Sequence, residues 1–539
     1  MSSTFMGLET ARRGMMAQQS ALYTTGQNVS NASTPGYSRQ RVNFVQTEAY
    51  PSIGMNREQI PGQMGTGVKA GSIQRVREGF LDVQYRGENN KLGYWQSQAD
   101  SLGKMESIMN EPSDSGLANT MDQFWQSLQD LSVDATNSGA RSVVRQRGEA
   151  VADTFNYLSN SLSSIQKDQK SQIDVTVKEA NSVLNQLNKI NEQIGGVEPN
   201  GYLPNDLYDE RDRLIDQLSS LVNVKVDYVK TGGNSDPKVE GKAVIKLVDD
   251  NGSELGTLLS DSNYKELKVN YDGVSNTVKT IKLGDPGEMD ETKDTSLDFS
   301  QMNSSGKLKG LIESYGYEKK DVTDPTKTVA AGTYNDMLGE LDRLAFTFAN
   351  EFNKVHEDGF SPNEISNKTS EKIDFFSDSG NVTISQSGFA SRIQISKDIK
   401  DSLDNIATAE GGIDPLTNLP RDPANATLGD ATNVSALANV INEKLNYKTN
   451  EKSDFRNYYQ NVIGAMGVMS QEATRLTQNS TSLQQAVDEK RQSVSSVSLD
   501  EEMTNMIQFQ QAYNASARMI TMQDELLDKI INGMGTGGR

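Results

Sequence analysis

Cysteine is missing altogether from this 539-residue chain, and histidine occurs once, at His356. No disulfide can brace it and no thiolate can act as a nucleophile. A single histidine excludes a histidine-based triad and any site with several imidazole ligands. Aromatics are scarce at 6% and hydrophobic residues make up only 35%, which suits elongated helical rods better than one large globule. Positive charge is also short: 53 Lys and Arg stand against 73 Asp and Glu, a net charge of -20. That argues against nucleic acid as a partner, since a phosphate-binding surface needs a basic footprint. Only the first 90 residues lean the other way, nine basic against six acidic and scattered, which reads as a local docking surface. No run approaches transmembrane length, and residues 1–30 lack the continuous apolar core of a secretory signal. Composition by itself therefore predicts a cytosolic chain without membrane insertion.

What is present in quantity is helical rhythm. From Leu499, alternate steps of four and three residues land on Met503, Met506, Gln510, Tyr513, Ala517, Ile520, Asp524, Leu527, Ile531 and Met534. This is a coiled-coil seam broken only at Gln510 and Asp524. Ser498 with Glu501 forms a capping box, Asp500 and Glu502 add negative charge at the positive end of the helix dipole, and Gly533 and Gly535 mark the end. So long a seam cannot stay alone in water, and the partner candidate lies at the other end of the chain. There a weaker stripe runs through Phe5, Leu8, Ala11, Met15, Leu22 and Val29. It stops at Ser33-Thr34-Pro35-Gly36, where Pro35 pushes Thr34 out of the helical region and Gly36 suits the third position of a type II turn. The two ends are expected to pair as a coiled-coil stem.

The run GQNVSNASTPGYSRQ at 26–40 resembles the N-terminal signature of the bacterial flagellar rod, hook and hook-associated proteins. SVSSVSLDEEM at 493–503, continuing into Gln510-Gln511-Ala512-Tyr513, resembles their C-terminal signature, and PNDLYDERD at 204–212 resembles a segment characteristic of the hook-filament junction members. The resemblance implies a structural, non-enzymatic subunit that joins the hook to the filament by helical self-assembly. Its implied partners are further copies of itself, the hook protein on one side, the second junction protein (hook-associated protein 3) on the other, and a cytoplasmic export chaperone. It also implies an extracellular place in the flagellum, reached through the export channel without a cleaved signal. The assembly interface would take in Phe5, Leu8, Met15, Leu22, Asn28, Asn31, Pro35, Gly36, Tyr37 and Arg39 at one end. At the other it would take in Leu499, Met503, Met506, Tyr513, Ile520, Leu527 and Ile531. The rivals are another axial protein of hook or rod type and, further off, a cell-wall-cleaving enzyme or an adhesin, the last supported only by the β segment.

Between the ends, Arg41 to Arg77 is rich in Gly and Pro with short alternating pieces, Val68-Lys69-Ala70 and Ser72 to Val76. Helical seams follow through Tyr85, Leu92, Trp95, Ala99, Leu102 and Met109, and through Leu117, Met121, Phe124, Leu128 and Leu131. A longer one over roughly 142–195 predicts a helix on the order of 80 Å that ends at Gly195-Gly196. Asn205 or Asp206 caps the next, through Leu207, Leu214, Leu218 and Leu221. Beyond Val222 the period falls to two in Val224 to Val229, Ala243 to Val248, Leu267 to Tyr271 and Val278 to Leu283, an inserted β region. Helix resumes from Tyr334 to Val355, and strand-like pieces follow at Val382-Thr383-Ile384 and Arg392 to Ile395. The last long seam, Phe455 to Val497, loses register near 495–498.

No catalytic constellation stands out. Asp209, Glu210 and Asp212 could in principle serve glycoside cleavage, but in the first turns of a helix acidic residues stabilise its dipole. Asp249-Asp250-Asn251-Gly252 has the composition of a calcium loop without its spacing and reads as a hairpin turn. His356, near a helix C-terminus, reads as a dipole contact. No cofactor or metal is expected. The fold class is mainly α with an inserted β region: an elongated multidomain rod with a coiled-coil stem of paired terminal helices, a long-helix bundle and a small β domain. The expected limits are 1–60 with 480–539 for the stem, 61–222, 306–360 and 426–479 for the helical rod, and 223–305 with 361–425 for a β-rich outer domain.

Overall fold

The longest apolar rhythm in the sequence becomes the longest helix, and the body is laid along it. The computed structural model describes residues 5–51, 55, 61–109, 113, 116–261, 263–273, 276–287, 294–321, 327–379, 386–413, 421–448 and 451–533. In chain order it runs through α1 (Phe5–Ser30), β1 (Gln40–Gln46), β2 (Val68–Arg75), α2 (Gly79–Met109), α3 (Leu117–Val133), α4 (Ser138–Val197) and α5 (Asn205–Leu221). Six strands follow, β3 (Val224–Val229), β4 (Lys242–Val248), β5 (Glu254–Leu259), β6 (Glu266–Asp272), β7 (Thr277–Gly284) and β8 (Thr295–Asp298). Then come α6 (Lys307–Tyr315), β9 (Tyr317–Lys320), β10 (Thr328–Ala331), α7 (Thr333–Asp358), α8 (Pro362–Asn367), β11 (Phe376–Asp378), β12 (Ile393–Ile395) and α9 (Lys397–Asp401). The chain closes with α10 (Thr432–Asn439), β13 (Leu445–Lys448), β14 (Glu451–Ser453), α11 (Phe455–Ser495) and α12 (Leu499–Gly533), so the break near 495–498 falls where register was lost.

α4 starts on Asn137, whose side chain accepts from Ala140 N at 3.2 Å. At 60 residues it spans on the order of 90 Å. It does not stop at Gly195-Gly196: the backbone runs through both into a short 3-10 turn, and Gly201 at φ 83° closes it. Along its buried side lie two hydrophobic cores in succession. Val144, Val151, Phe155 and Leu162 join α3, α7, α10 and the start of α11 in the first. Ile173, Val177, Leu184, Leu187 and Ile194 join α5, α6 and the strands of the insert in the second. Between them the buried face turns polar. Gln166 Nε2 donates to Tyr315 O (2.8 Å) and Asn335 Oδ1 (2.7 Å), and Gln169 Nε2 donates to Ser101 Oγ (2.9 Å). A buried amide finds these partners in one register only, so this waist fixes how the two halves stack.

The expected strands form within a residue of their limits, the two pieces around Gly71 merging into β2; Val382-Thr383-Ile384 lies outside the described residues. β3, β4 and β5 make one antiparallel sheet; a second has the order β10-β9-β7-β6, with β8 also on β7. Asp249 to Gly252 is the β4–β5 turn, with Asp249 Oδ1 accepting from Asn251 N and Ser253 N. The single β-rich outer domain does not hold. The insert buries Ile245, Leu247, Ile281 and Leu283 in the second core, whereas residues 361–425 bury Phe375, Phe376, Phe389 and Ile395 in the first. Aromatic packing decides this: Phe375 meets Phe352 of α7 edge-on and Phe376 meets Phe348 at a tilt, with ring centroids 5.1 Å apart in each pair.

His356, near the end of α7, is not a charged contact with the helix dipole. Its ring is buried, Nε2 accepts the Ala407 N–H at 3.0 Å, and Nδ1 lies 2.7 Å from Ile373 O. The neutral ring with its hydrogen on Nδ1 satisfies both and ties two loops to α7. Burial lowers its pKa from 6.5 to about 4. Below 6.5 the unfolded chain takes up this proton while the folded one does not until near 4, so falling pH removes about 3 kcal/mol across that window. The imidazole resonance, unambiguous in a chain with one histidine, should therefore titrate near 4 by NMR in the folded protein. A midpoint near 6.5 would put the ring in solvent.

Candidate assembly interface

The chain leaves α1 through a turn in which Tyr37 N donates to Thr34 O at 3.2 Å and Gly36 takes φ 82°, the left-handed value a type II turn requires at its third position. The turn folds Tyr37 to Gln40 back over Asn28, which is buried. Every hydrogen-bonding position of the Asn28 amide is filled. Nδ2 donates to Gln40 O (2.8 Å) and Glu502 Oε2 (3.0 Å), and Oδ1 accepts from Gln40 N (3.0 Å) and the Tyr37 hydroxyl (2.9 Å). Burial, with Asp206, Asp209 and Glu502 nearby, raises the Tyr37 pKa and keeps its hydroxyl a donor. Arg39 reaches both C-terminal helices: its guanidinium meets Glu502 at 2.8 Å and Glu501 at 2.7 Å, and its backbone N donates to Ser495 O at 2.8 Å. Glu501, expected in a capping box, is engaged by Arg39.

α1 and α12 run antiparallel. Asn28 meets Glu502, a Cβ at Gly14 would stand 3.2 Å from Ser516 Oγ, and one at Gly7 would stand 2.8 Å from Gln523 Nε2. The α1 side of the seam is thus the heptad Gly7, Gly14, Ala21 and Asn28. This corrects the expected stripe in part: Ala11 is buried, but Leu8, Met15 and Leu22 are half-buried beside the seam, and Phe5 is 61% exposed. Small residues on the contact line let the two backbones approach, where large ones would hold them apart. On α12 one half of the expected seam, Met506, Tyr513, Ile520 and Leu527, is half-buried toward α1. The other half is not, for Leu499 and Met503 stay half exposed and Ile531 is 71% exposed. Leu499, Met503 and Ile507 lie on one flank of the contact line, and exposed Met519, Met522, Leu526 and Ile530 on the other. Neither core contains a described residue of α1 or α12.

Charge joins the stem and its β1–β2 hairpin to the body. Arg75 and Arg77 at the end of the hairpin, Arg86 on α2, Arg211 on α5 and Arg491 on α11 interlock with Asp82, Asp209, Asp212, Asp216 and Glu240. Arg75 Nη1 lies 2.7 Å from Asp209 and 3.0 Å from Asp212, and Arg77 grips both oxygens of Asp82 at 2.7 and 2.8 Å. Ser38 N donates to Asp209 at 3.0 Å, Gln40 Nε2 to Asp206 at 3.1 Å, and Asn205 Nδ2 to Ile73 O at 3.0 Å. Asn205 and Asp206, expected as caps, are therefore spent on the hairpin, and Asp209 and Asp212 serve the joint. Burial alone would raise the Asp212 pKa, but Arg211, Arg77, Arg75 and Arg86 outweigh it and hold the carboxyl well below the usual range. At Asp209 burial is the stronger influence and the pKa rises. These groups are committed to one another, and among the described residues no cluster of metal-type ligands occurs. Of the remaining signature residues, Asn31 Oδ1 accepts from Thr34 Oγ1 (3.2 Å), and Pro35 with Gly36 overhangs α5 beside Arg213.

Terminal helices paired across the whole chain, each carrying a signature and both held on a long-helix body, define an axial structural protein of the bacterial flagellum. Family profiles agree: "Flagella basal body rod protein" matches residues 8–37, "Flagellar basal body rod FlgEFG protein C-terminal" 489–533, and "Flagellar hook-associated protein FlgK helical domain" 102–376. The chain is 46% identical to flagellar hook-associated protein 1 of Bacillus subtilis, covering 100% of both chains. It is 25% identical to that of Salmonella typhimurium, covering 97% of this chain and 98% of that one. The chain belongs to the flagellar hook-associated protein 1 family. The flagellar hook junction protein FlgK from Burkholderia pseudomallei shares its fold, with a TM-score of 0.56 at 16% identity over 75% of this chain and 100% of that one.

Asp212→Asn keeps the shape of the joint but removes the charge that several guanidiniums share. Breaking a buried ion pair from one side is worth about 3–5 kcal/mol, and urea unfolding should register a loss of that size. Glu9→Gln, in an exposed pair with Arg12, should leave the midpoint unmoved. Because the Asp212 pKa is depressed from 3.8, its contribution persists down to that pH and is lost only below it. Equal behaviour of the two variants would mean that the arginines find other partners.

Proposed function

We propose that this chain is the structural subunit that joins hook to filament, assembling helically through its paired terminal helices. The observation that carries this is the pair of exposed apolar flanks on α12. A helix that buries one side against α1 and leaves Leu499, Met503 and Ile507 on one flank and Met519, Met522, Leu526 and Ile530 on the other calls for further helices. Copies of the chain supply them through a repeated heterologous contact, whose two ends meet different neighbours. Those neighbours are the hook protein and the second junction protein, hook-associated protein 3. In this reading Asn28, Asn31, Pro35, Gly36, Tyr37 and Arg39 set the angle of the stem, while Phe5, Leu499, Met503 and Ile531 meet adjoining subunits. The stem takes in 1–75 with 496–539, since α11 runs unbroken to Ser495. Before assembly an export chaperone covers the flanks, and the chain leaves the cell through the flagellar export channel. Among the described residues no helix is long and apolar enough to cross a membrane.

Ile520 and Leu527 lie at one heptad position, half-buried toward α1. Changing both to Asp sets carboxylates in a line of contact that assembly must dry, at several kcal/mol for each one left without a partner. The body should keep its melting temperature, since α12 adds nothing to either core. Cells carrying the variant should bear hooks without filaments and release subunits to the medium. A variant that melts early would make α12 part of the body, and one that still completes the junction would remove this seam from assembly.

A further inference from the structure

With no cysteine, methionine is the chain's only sulfur side chain, and it is unevenly spread: eleven of the 19 fall within residues 1–64 and 499–539. Exposure divides them further. Met16 on α1 and Met503, Met519 and Met522 on α12 are 47–54% exposed, and Met55 and Met64 between β1 and β2 are 108% and 40% exposed, whereas Met105, Met109, Met121, Met302, Met337 and Met466 of the body are 6% exposed or less. The one exposed body methionine among the described residues is Met469 on α11. Met519 also lines, with Met6 and Met64, a groove of about 740 Å³ between α1, α12 and the hairpin.

We propose that the stem methionines are an oxidation site, at which hydroperoxides convert Met16, Met503, Met519 and Met522 to sulfoxides in the unassembled subunit and so block its assembly. This rests on the assembly reading above. In the step, a sulfur lone pair attacks one peroxide oxygen and an S–O bond forms as the O–O bond breaks. The second oxygen leaves with a proton as water, or as an alcohol from an organic peroxide. Sulfur gives up two electrons and the peroxide accepts them. The product carries a strong hydrogen-bond acceptor on flanks that must become dry, where burying it costs free energy. A thioether that is soft and adaptable becomes polar and stiff. The body escapes because its sulfurs are out of reach. Burial in the assembled tube protects the stem, so the sensitivity belongs to the free subunit, and sulfoxide reductases reverse it.

The test exposes folded protein to hydrogen peroxide, maps sulfoxides by peptide mass spectrometry, and measures binding to isolated hooks lacking this subunit. Met16, Met503, Met519 and Met522 should oxidise at least about tenfold faster than the buried body set, following exposure. Hook binding should fall with their oxidation, the melting temperature of the body should hold, and treatment with methionine sulfoxide reductases should restore binding. Met469→Leu should lose binding on oxidation as the parent does; if it stays active, the sensitive sulfur lies on the body and the proposal fails. Oxidised protein that binds hooks as well as untreated protein overturns the proposal alone. Untreated protein that does not bind overturns the assembly reading and this one with it.

Discussion

The stem holds a fixed angle to the body because five arginines and five carboxylates come together where β2, α2, α5 and α11 meet. An ion cluster out of water is a poor source of net stability, since desolvation offsets most of the attraction. What it supplies is direction. A guanidinium gripping both oxygens of a carboxylate, as Arg77 grips Asp82, tolerates little rotation, whereas an apolar patch slides at small penalty. Neither hydrophobic core reaches into α1, α12 or the hairpin. Apolar packing therefore builds the body, and polar geometry aims the stem.

The chain ends meet across a sequence separation of 474 residues, from Asn28 to Glu502. Closing a loop that long in a random chain would cost about 5 kcal/mol, more than the exposed seam of α12 can readily offset. The folded body removes most of that cost. α11 packs along α2 and runs unbroken to Ser495, whose carbonyl takes the Arg39 N–H at 2.8 Å. Once the body and joint are in place, the first turns of α12 already lie against the last turn of α1, and the pair can zip outward from Asn28 and Glu502. Contact thins in the same direction, from a buried, fully hydrogen-bonded amide to Ile531 and Phe5, both largely exposed.

How much of this was legible follows from range. The turn at Pro35-Gly36, most of the length of α4, the break before Leu499 and four of the six strands of the insert rest on neighbours a few residues apart and are legible in the sequence; the run of α4 through Gly195-Gly196 and the strands β5 and β8 are not. The joint was not legible, because its pairs are separated by 134 residues for Arg75 and Asp209 and 275 for Arg491 and Asp216. Asp209 and Asp212 looked like ordinary first-turn acids for want of any sign of the arginines awaiting them. The grouping of 361–425 with the insert failed for a related reason: strand-like rhythm says that a segment is half-buried, never against what. In α1 the signal was present and overlooked. Gly7, Gly14, Ala21 and Asn28 recur every seven residues, but a search for bulky apolar side chains passes over a seam made of small ones.

That seam and the flanks around it ask for opposite properties. A contact line of Gly and Ala, sealed at one end by a buried Asn, permits one close register between α1 and α12 and penalises any other sharply. The flanks carry Met, Leu and Ile, side chains whose rotamers can repack against differently shaped neighbours. In the junction proposed above, with different proteins at its two faces, the pair itself must stay the same while its surroundings change. A rigid inner seam with adaptable flanks meets both demands, and it explains why the sulfur of this chain gathers in the stem, where the surface is apolar, exposed and required to adapt.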